Sequence, residues 1–216
     1  EIILWRRLSQ YGGITPMFGV VERPEQVWIV SKWMENGNLT KYLSKRKYAG
    51  LNRLQLLVDV CEGLQHLHSQ GIAHGDIKSD NVVIDEEGRA NLCDFGMTTL
   101  VHSLNSINPS TRSSLCGTVQ YMAPEMIDPE QGGLQNPHPS LEVDIYALAI
   151  LMWQIFSEDG KLPWQGLSQF QINYRVAQRN VRPRRHDGQV PKQWGLTDDV
   201  WNLIVQCWHK DRRKRP

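Results

Sequence analysis

Wound as a helix of about 3.6 residues per turn, residues 1–9 bring Leu4, Trp5 and Leu8 onto one face, the spacing of a helix packed on a core. Two short apolar runs follow, 17–21 and 27–31. The turn-forming stretch from Glu22 to Gln26 separates them, which predicts a β-hairpin. Asn36-Gly37 breaks the strand pattern and opens a helix. From Arg53 to Ser69 a helical stripe of Leu54, Leu57, Cys61, Leu64 and Leu67 runs to a stop at Gly71. Residues 81–95 read as two small strands around a turn from Asp85 to Gly88, whereas residues 98–119 carry no period and predict a long loop. Residues 143–156 are apolar nearly all round and too short to cross a bilayer, so they predict a buried central helix. A last amphipathic helix follows Thr197 as N-cap, with Asp198 and Asp199 in its first turn and a buried stripe of Val200, Leu203, Ile204 and Cys207. No internal repeat is present. The fold class is α+β, mostly helical after a strand-rich start.

Composition narrows the function. The chain has 216 residues, 40% hydrophobic and 22% charged, enough for a substantial core. Lys plus Arg number 24 against 23 acids, a net charge of +1, which argues against a nucleic-acid or anionic-membrane partner. The basic end from Asp211 to Pro216 reads as a solvated helix end or loop. Cys61, Cys93, Cys116 and Cys207 form no CxxC pair and predict reduced thiols in a cytoplasmic protein rather than a disulfide frame or zinc site. No apolar run has the length of a membrane span, and no signal peptide opens the chain.

The chemistry is concentrated in residues 72–100. Phosphoryl transfer needs a carboxylate to position the acceptor, a divalent metal held by oxygen ligands, and cations for the moving phosphoryl charge. Asp76, Asn81 and Asp94 supply the first two, and Lys78 part of the third. His74, Asp76, Lys78 and Asn81, then Asp94-Phe95-Gly96 thirteen residues on, then Ala123-Pro124-Glu125, resemble the protein-kinase signature set. The resemblance runs from Glu1 to Arg215. It implies a two-lobed fold, with residues 1–33 a remnant of the small lobe truncated at its N-terminus. Residues 34–216 would be the hinge and a large helical lobe, complete or nearly so.

The resemblance assigns roles residue by residue. Asp76 would orient the substrate hydroxyl and accept its proton, and Lys78 would reach the transferring phosphoryl group. Asn81 and Asp94 would hold magnesium. His74 and Phe95, with Trp5 and Met17, would stack in a column joining the lobes. In the hinge, Ser31 would guard the back of the adenine pocket, backbone groups of Lys32 and Met34 would bond the adenine, and Val83 would lie beneath it. Glu1 resembles the helix glutamate that pairs with the nucleotide-anchoring lysine. Glu125 and Arg215 would form a buried ion pair, and Asp144 would hold the backbone around His74. Lys78 and Thr118 resemble the serine/threonine enzymes. The hinge, the Tyr121–Glu125 stretch and Cys207-Trp208 resemble the tyrosine-kinase-like group, whose members mostly phosphorylate Ser or Thr. ATP, Mg2+ and a protein substrate bearing Ser or Thr are therefore the expected partners.

Each element alone has a plainer reading. Asp-Phe-Gly is a common turn, His74 alone suits a satisfied core histidine, Trp5, Leu8 and Met17 suit plain core, and Cys93 suits a packing thiol. Order and spacing together defeat those readings. Against the family pattern, Gly75 replaces the arginine that binds activation-loop phosphate, so residues 98–119 are expected to order without phosphorylation of Ser106, Ser110, Thr111, Ser113 or Ser114. Ala149 replaces a helix glycine, and residues 127–142 carry a polar surface insertion open to a regulatory partner. The glycine-rich loop and strand lysine of the family are not in the chain. The resemblance thus implies a piece of a longer kinase, expected alone to bind nucleotide weakly and to dissolve poorly. A pseudokinase scaffold is the alternative from another class, decided by the strand lysine. A small-molecule kinase fits poorly, because Ala123-Pro124-Glu125 and Arg215 serve protein substrates.

Overall fold

The computed structural model describes residues 2–24, 26–45, 50–100, 118–132 and 137–216. The chain opens with α1 (Ile2–Leu8), which buries Trp5 and Leu8. A hairpin of β1 (Met17–Arg23) and β2 (Gln26–Ser31) follows, antiparallel with a bulge between Met17 and Gly19. Both strands extend beyond the apolar runs that predict them. The two-residue β3 (Gly37–Asn38) leads into α2 (Leu39–Lys45), where the Asn38 side chain accepts from the Lys41 N–H and caps the first turn.

Helix α3 (Arg53–Ser69) begins at Asn52, whose side chain accepts from the Gln55 N–H, and ends before Gly71 at φ +68°. Its buried face is Leu56, Leu57, Val60, Gly63, Leu64 and Leu67. The sequence stripe is therefore turned, because Leu54 is exposed and Cys61 only half-buried. Backbone contact decides the rotation. The Gly13 carbonyl sits where a Cβ on Gly63 would be, only 2.3 Å away, so this face of α3 accepts a crossing chain instead of a side chain. That crossing segment continues through an Ile14–Leu92 bridge.

Three strands make the second sheet in the order β3-β5-β6, all antiparallel, with β5 (Val82–Ile84) and β6 (Ala90–Leu92) joined by the Asp85–Gly88 turn. β4 (Ile72–Ala73) pairs with β7 (Thr99–Leu100). Residues 74–81 and 93–98 are thus led side by side out of short sheets.

The remaining elements form a helical body. They are α4 (Pro124–Ile127), α5 (Leu141–Ile155), α6 (Gln169–Asn173) running into a π-helical stretch over Tyr174–Gln178, α7 (Gln189–Gln193) and α8 (Asp198–Cys207). α5 starts at the Ser140 cap and is buried nearly all round from Tyr146 to Met152, as its unbroken apolar run predicts. α8 is capped by Thr197, packs on α5 and buries Ile204 and Cys207, while Leu203 turns to solvent. No helix among the described residues is long and apolar enough to cross a membrane.

Candidate active site

The loop between β4 and β5 is suspended from α5. Asp144 is buried, and its Oδ2 accepts the His74 N–H at 2.7 Å while Oδ1 accepts the Gly75 N–H at 2.9 Å. His68 Nε2 reaches the same Oδ2 at 3.0 Å. A carboxylate oxygen only accepts, so that nitrogen carries the proton. Gly75 sits at φ +82°, and a Cβ there would stand 2.8 Å from the Met97 carbonyl and 3.0 Å from Pro139. The missing side chain is what lets Met97 and Pro139 close over the loop.

His74 is fully buried. Its Nδ1 accepts the Asp76 N–H at 3.3 Å, and its Nε2 lies 3.1 Å from the Cys93 carbonyl. The ring is therefore neutral with the proton on Nε2, and burial lowers its pKa below the ordinary value. The Phe95 ring lies between His74, at 5.4 Å, and Trp5, at 5.6 Å between centroids. Trp5 in turn donates to the Thr15 carbonyl at 2.8 Å. Met17 packs at the margin of the same core. Beside this stack, burial pushes the Cys93 thiol up to about 12, so it remains protonated.

One oxygen of Asp76 gathers the polar groups. Lys78 Nζ is 2.5 Å from Oδ2, and Asn81 Nδ2 donates to the same oxygen at 2.8 Å and to the Asp76 carbonyl at 2.9 Å. Asp94 follows β6 in the left-handed region at φ +62°, with Oδ1 accepting the Gly96 N–H at 3.3 Å. Asp76, Lys78, Asp94, Met97 and Thr118 line one open cleft of about 400 Å³. Thr118 shares the cleft, but Lys78 and Asn81, not Thr118, hold the Asp76 carboxylate.

The hinge residues lie apart from this cleft. Ser31 ends β2 opposite Met17. The Lys32 N–H goes to the Pro16 carbonyl at 2.9 Å, and the Met34 carbonyl accepts the Gly37 N–H at 3.0 Å. The Lys32 ammonium pairs with Glu86 at 2.9 Å, which raises its pKa. Val83 takes the face of β5 opposite the buried Val82 and Ile84. Far below, Arg215 forms a two-pronged pair with Glu125 at 2.6 and 2.8 Å, with both side chains buried. Its guanidinium also bonds the carbonyls of Glu142 and His209 and lies 5.2 Å from the Tyr146 ring centre. Glu1, Cys116, Ser106, Ser110, Thr111, Ser113 and Ser114 lie outside the described residues.

Two participants escape sequence reasoning. His68 reaches Asp144 across 76 positions, and Tyr121 reaches Ser79 across 42. Neither carries a local signal, since each looks like an ordinary polar or aromatic residue beside an apolar run.

A family model, the protein kinase domain, matches residues 1–216. The chain is 31% identical over 219 residues to the serine/threonine/tyrosine-protein kinase HT1 of Arabidopsis thaliana, across all of this chain and 50% of the relative. It is 34% identical over 190 residues to a dual serine/threonine and tyrosine protein kinase of Apis mellifera, across 81% of this chain and 17% of that protein. Receptor-interacting serine/threonine-protein kinase 2 of Bos taurus is 28% identical over 216 residues, across 96% of this chain and 39% of the relative. The chain spans half or less of the length of these curated relatives.

Proposed function

The chain belongs to the protein kinase domain family, and from that premise we propose that it carries the catalytic groups of a protein serine/threonine kinase, moving the γ-phosphoryl group of ATP to a Ser or Thr hydroxyl of a protein. The observation that supports this best is the Asp76 carboxylate. Oδ2 is taken by Lys78 and Asn81, which leaves Oδ1 to accept the hydrogen bond of the substrate hydroxyl. As the new phosphorus–oxygen bond forms and the bond from the γ-phosphorus to the β–γ bridging oxygen breaks, releasing ADP, Oδ1 takes the hydroxyl proton. Lys78, already beside Asp76, donates to an oxygen of the moving phosphoryl group. In this reading the protein positions and balances charge, and the chemistry belongs to the nucleotide.

The donor set suits a hard divalent cation. Asn81 spends its amide nitrogen on Asp76, so its oxygen is the free end, and Asp94 adds an anionic oxygen. Two such ligands, with phosphate oxygens and water completing the shell, fit Mg2+ better than softer metals. When bound, the ion neutralises charge on the phosphates; Asn81 and Asp94 hold its place.

The nucleotide's base would meet the Lys32 carbonyl and the Met34 N–H, the hinge groups left over from the bonds to Pro16 and Gly37, with Ser31 behind and Val83 below. Residues 1–33 then form the remnant of a small lobe and residues 34–216 the large lobe. Lys78 in place of arginine, and Thr118 in the cleft, favour Ser and Thr over Tyr. The unpaired Cys61, Cys93 and Cys207 suit a reducing, cytoplasmic setting.

The test is phosphotransfer by the full-length protein with labelled ATP and magnesium on a generic protein substrate, beside Asp76→Asn, scoring which amino acid is labelled. Label on Ser or Thr should fall at least about a thousandfold in the variant, the scale of losing a positioned base together with its alignment of the acceptor. A folded parent that labels no more than the variant would overturn the reading in favour of a partner-binding pseudokinase.

A further inference from the structure

We propose that Thr40 on α2 is a positioning residue for phosphoryl transfer, acting through Ser79 on the loop that carries Asp76, Lys78 and Asn81; this rests on the kinase reading above. The two hydroxyl oxygens are 2.7 Å apart. Ser79 is almost fully buried, one residue past Lys78 and two before Asn81. Its N–H donates to the Tyr121 hydroxyl at 3.2 Å, and its own hydroxyl lies 3.0 Å from the same oxygen. Tyr121 contacts the side-chain oxygen of Gln154 on α5, and Gln154 Nε2 donates to the Gly160 carbonyl at 2.6 Å.

Proton accounting gives this chain one direction. The Gly160 carbonyl can only accept, so Gln154 must turn Nε2 toward it and Oε1 toward Tyr121. That oxygen can also only accept, so the single Tyr121 proton is spent there. Ser79 must then donate its hydroxyl proton to Tyr121, and Thr40 must donate to Ser79. The longer approach of Thr40 to Asp80, 3.4 Å, is not where its proton goes. The same Asp80 oxygen accepts from Asn38 Nδ2 at the shorter distance of 2.9 Å. Every donor from Thr40 to Gln154 thus points toward the central helix, and Ser79 has no other source for the bond its oxygen accepts. Two elements distant in sequence meet at Ser79, α2 and the segment ahead of Ala123-Pro124-Glu125, and Tyr121 carries the link on to Gln154 of α5. A buried chain of this kind is well ordered only when every member is satisfied. Thr40 closes it from the side where the hinge enters α2, and it touches no reacting atom.

The test compares Thr40→Val, which keeps the shape and deletes the donor, with Thr40→Ser, which keeps the donor. In the full-length protein, kcat, the KM for ATP and amide exchange at Ser79 are measured for both. We expect Thr40→Val to lower kcat about tenfold, the order that a small misplacement of reacting groups costs, with KM for ATP changed by less than about twofold. Thr40→Ser should stay within about twofold of the parent. Exchange at the Ser79 amide should quicken in Thr40→Val alone. Parent-like turnover and exchange in Thr40→Val would overturn the proposal, as would an equal defect in Thr40→Ser, which would point to lost packing. A parent with no phosphotransfer at all defeats the kinase reading by itself. The Ser79 exchange in the two variants then still decides whether Thr40 orders the loop.

Discussion

The His74 ring is fixed at both nitrogens, so its protonation is tied to the shape of the loop. A proton on Nδ1 would break the bond from the Asp76 N–H and place a charge in a fully buried site. The folded pKa therefore lies below the ordinary value of 6.5 that the unfolded chain retains. Between the two values the unfolded chain binds the extra proton. The stability that this difference contributes is present in full above about pH 6.5 and is lost as pH falls through that value toward the lowered one. Denaturant unfolding of the parent and His74→Gln across pH 8 to 5 should show a steeper acid loss in the parent. The difference is bounded by about 1.4 kcal/mol per pH unit for one proton. Equal slopes would mean that His74 titrates normally. Asp76, Lys78, Asn81 and Asp94 were legible in the sequence because one short stretch supplies all four side chains. The tautomer of His74 was not, since it depends on the Cys93 carbonyl arriving from the segment after β6.

At the scale of elements, the pair of Glu125 on α4 and Arg215 joins segments 90 residues apart. Only the family resemblance pointed to it; no local pattern could. The guanidinium has four oxygen contacts, so removing it leaves the buried Glu125 carboxylate without its arginine and strips a donor from two backbone carbonyls. Arg215→Ala should lower unfolding stability by roughly 3–5 kcal/mol in denaturant titrations. A loss below about 1 kcal/mol, the range of exposed pairs, would show that water replaces the arginine. Element identity was easier to read than element orientation. The 17-residue α3 was legible from its period and its stop at Gly71, but its rotation was not. Leu54, Leu56, Leu57 and Val58 offer two competing apolar faces, and the Gly13–Gly63 backbone contact chooses between them. In α8 likewise, Leu203 completes a good stripe on paper and meets solvent because α5 covers only part of it.

For the whole molecule, apolar exposure falls on several elements, and the β1–β2 hairpin carries one dense cluster of it. Phe18 is 71% exposed, Val27 54% and Trp28 57%, all on the two-stranded β1–β2 hairpin. A hairpin with unpaired edges and apolar side chains is an association hazard for the chain on its own. Replacing Trp28 with Thr should raise the soluble yield of residues 1–216 about twofold or more, since Thr keeps strand propensity and removes the largest exposed ring of the hairpin. An unchanged yield would locate the hazard elsewhere. The candidate site is built differently. The carboxylate that holds residues 74 and 75 belongs to the most deeply buried helix, and a second histidine steadies it. The candidate site therefore has no cheap opening of its own. Residues 74 and 75 share one unit of cooperativity with the interior, so the small fluctuations that fray surface turns should pass them by, and their backbone should loosen only when the core itself gives way.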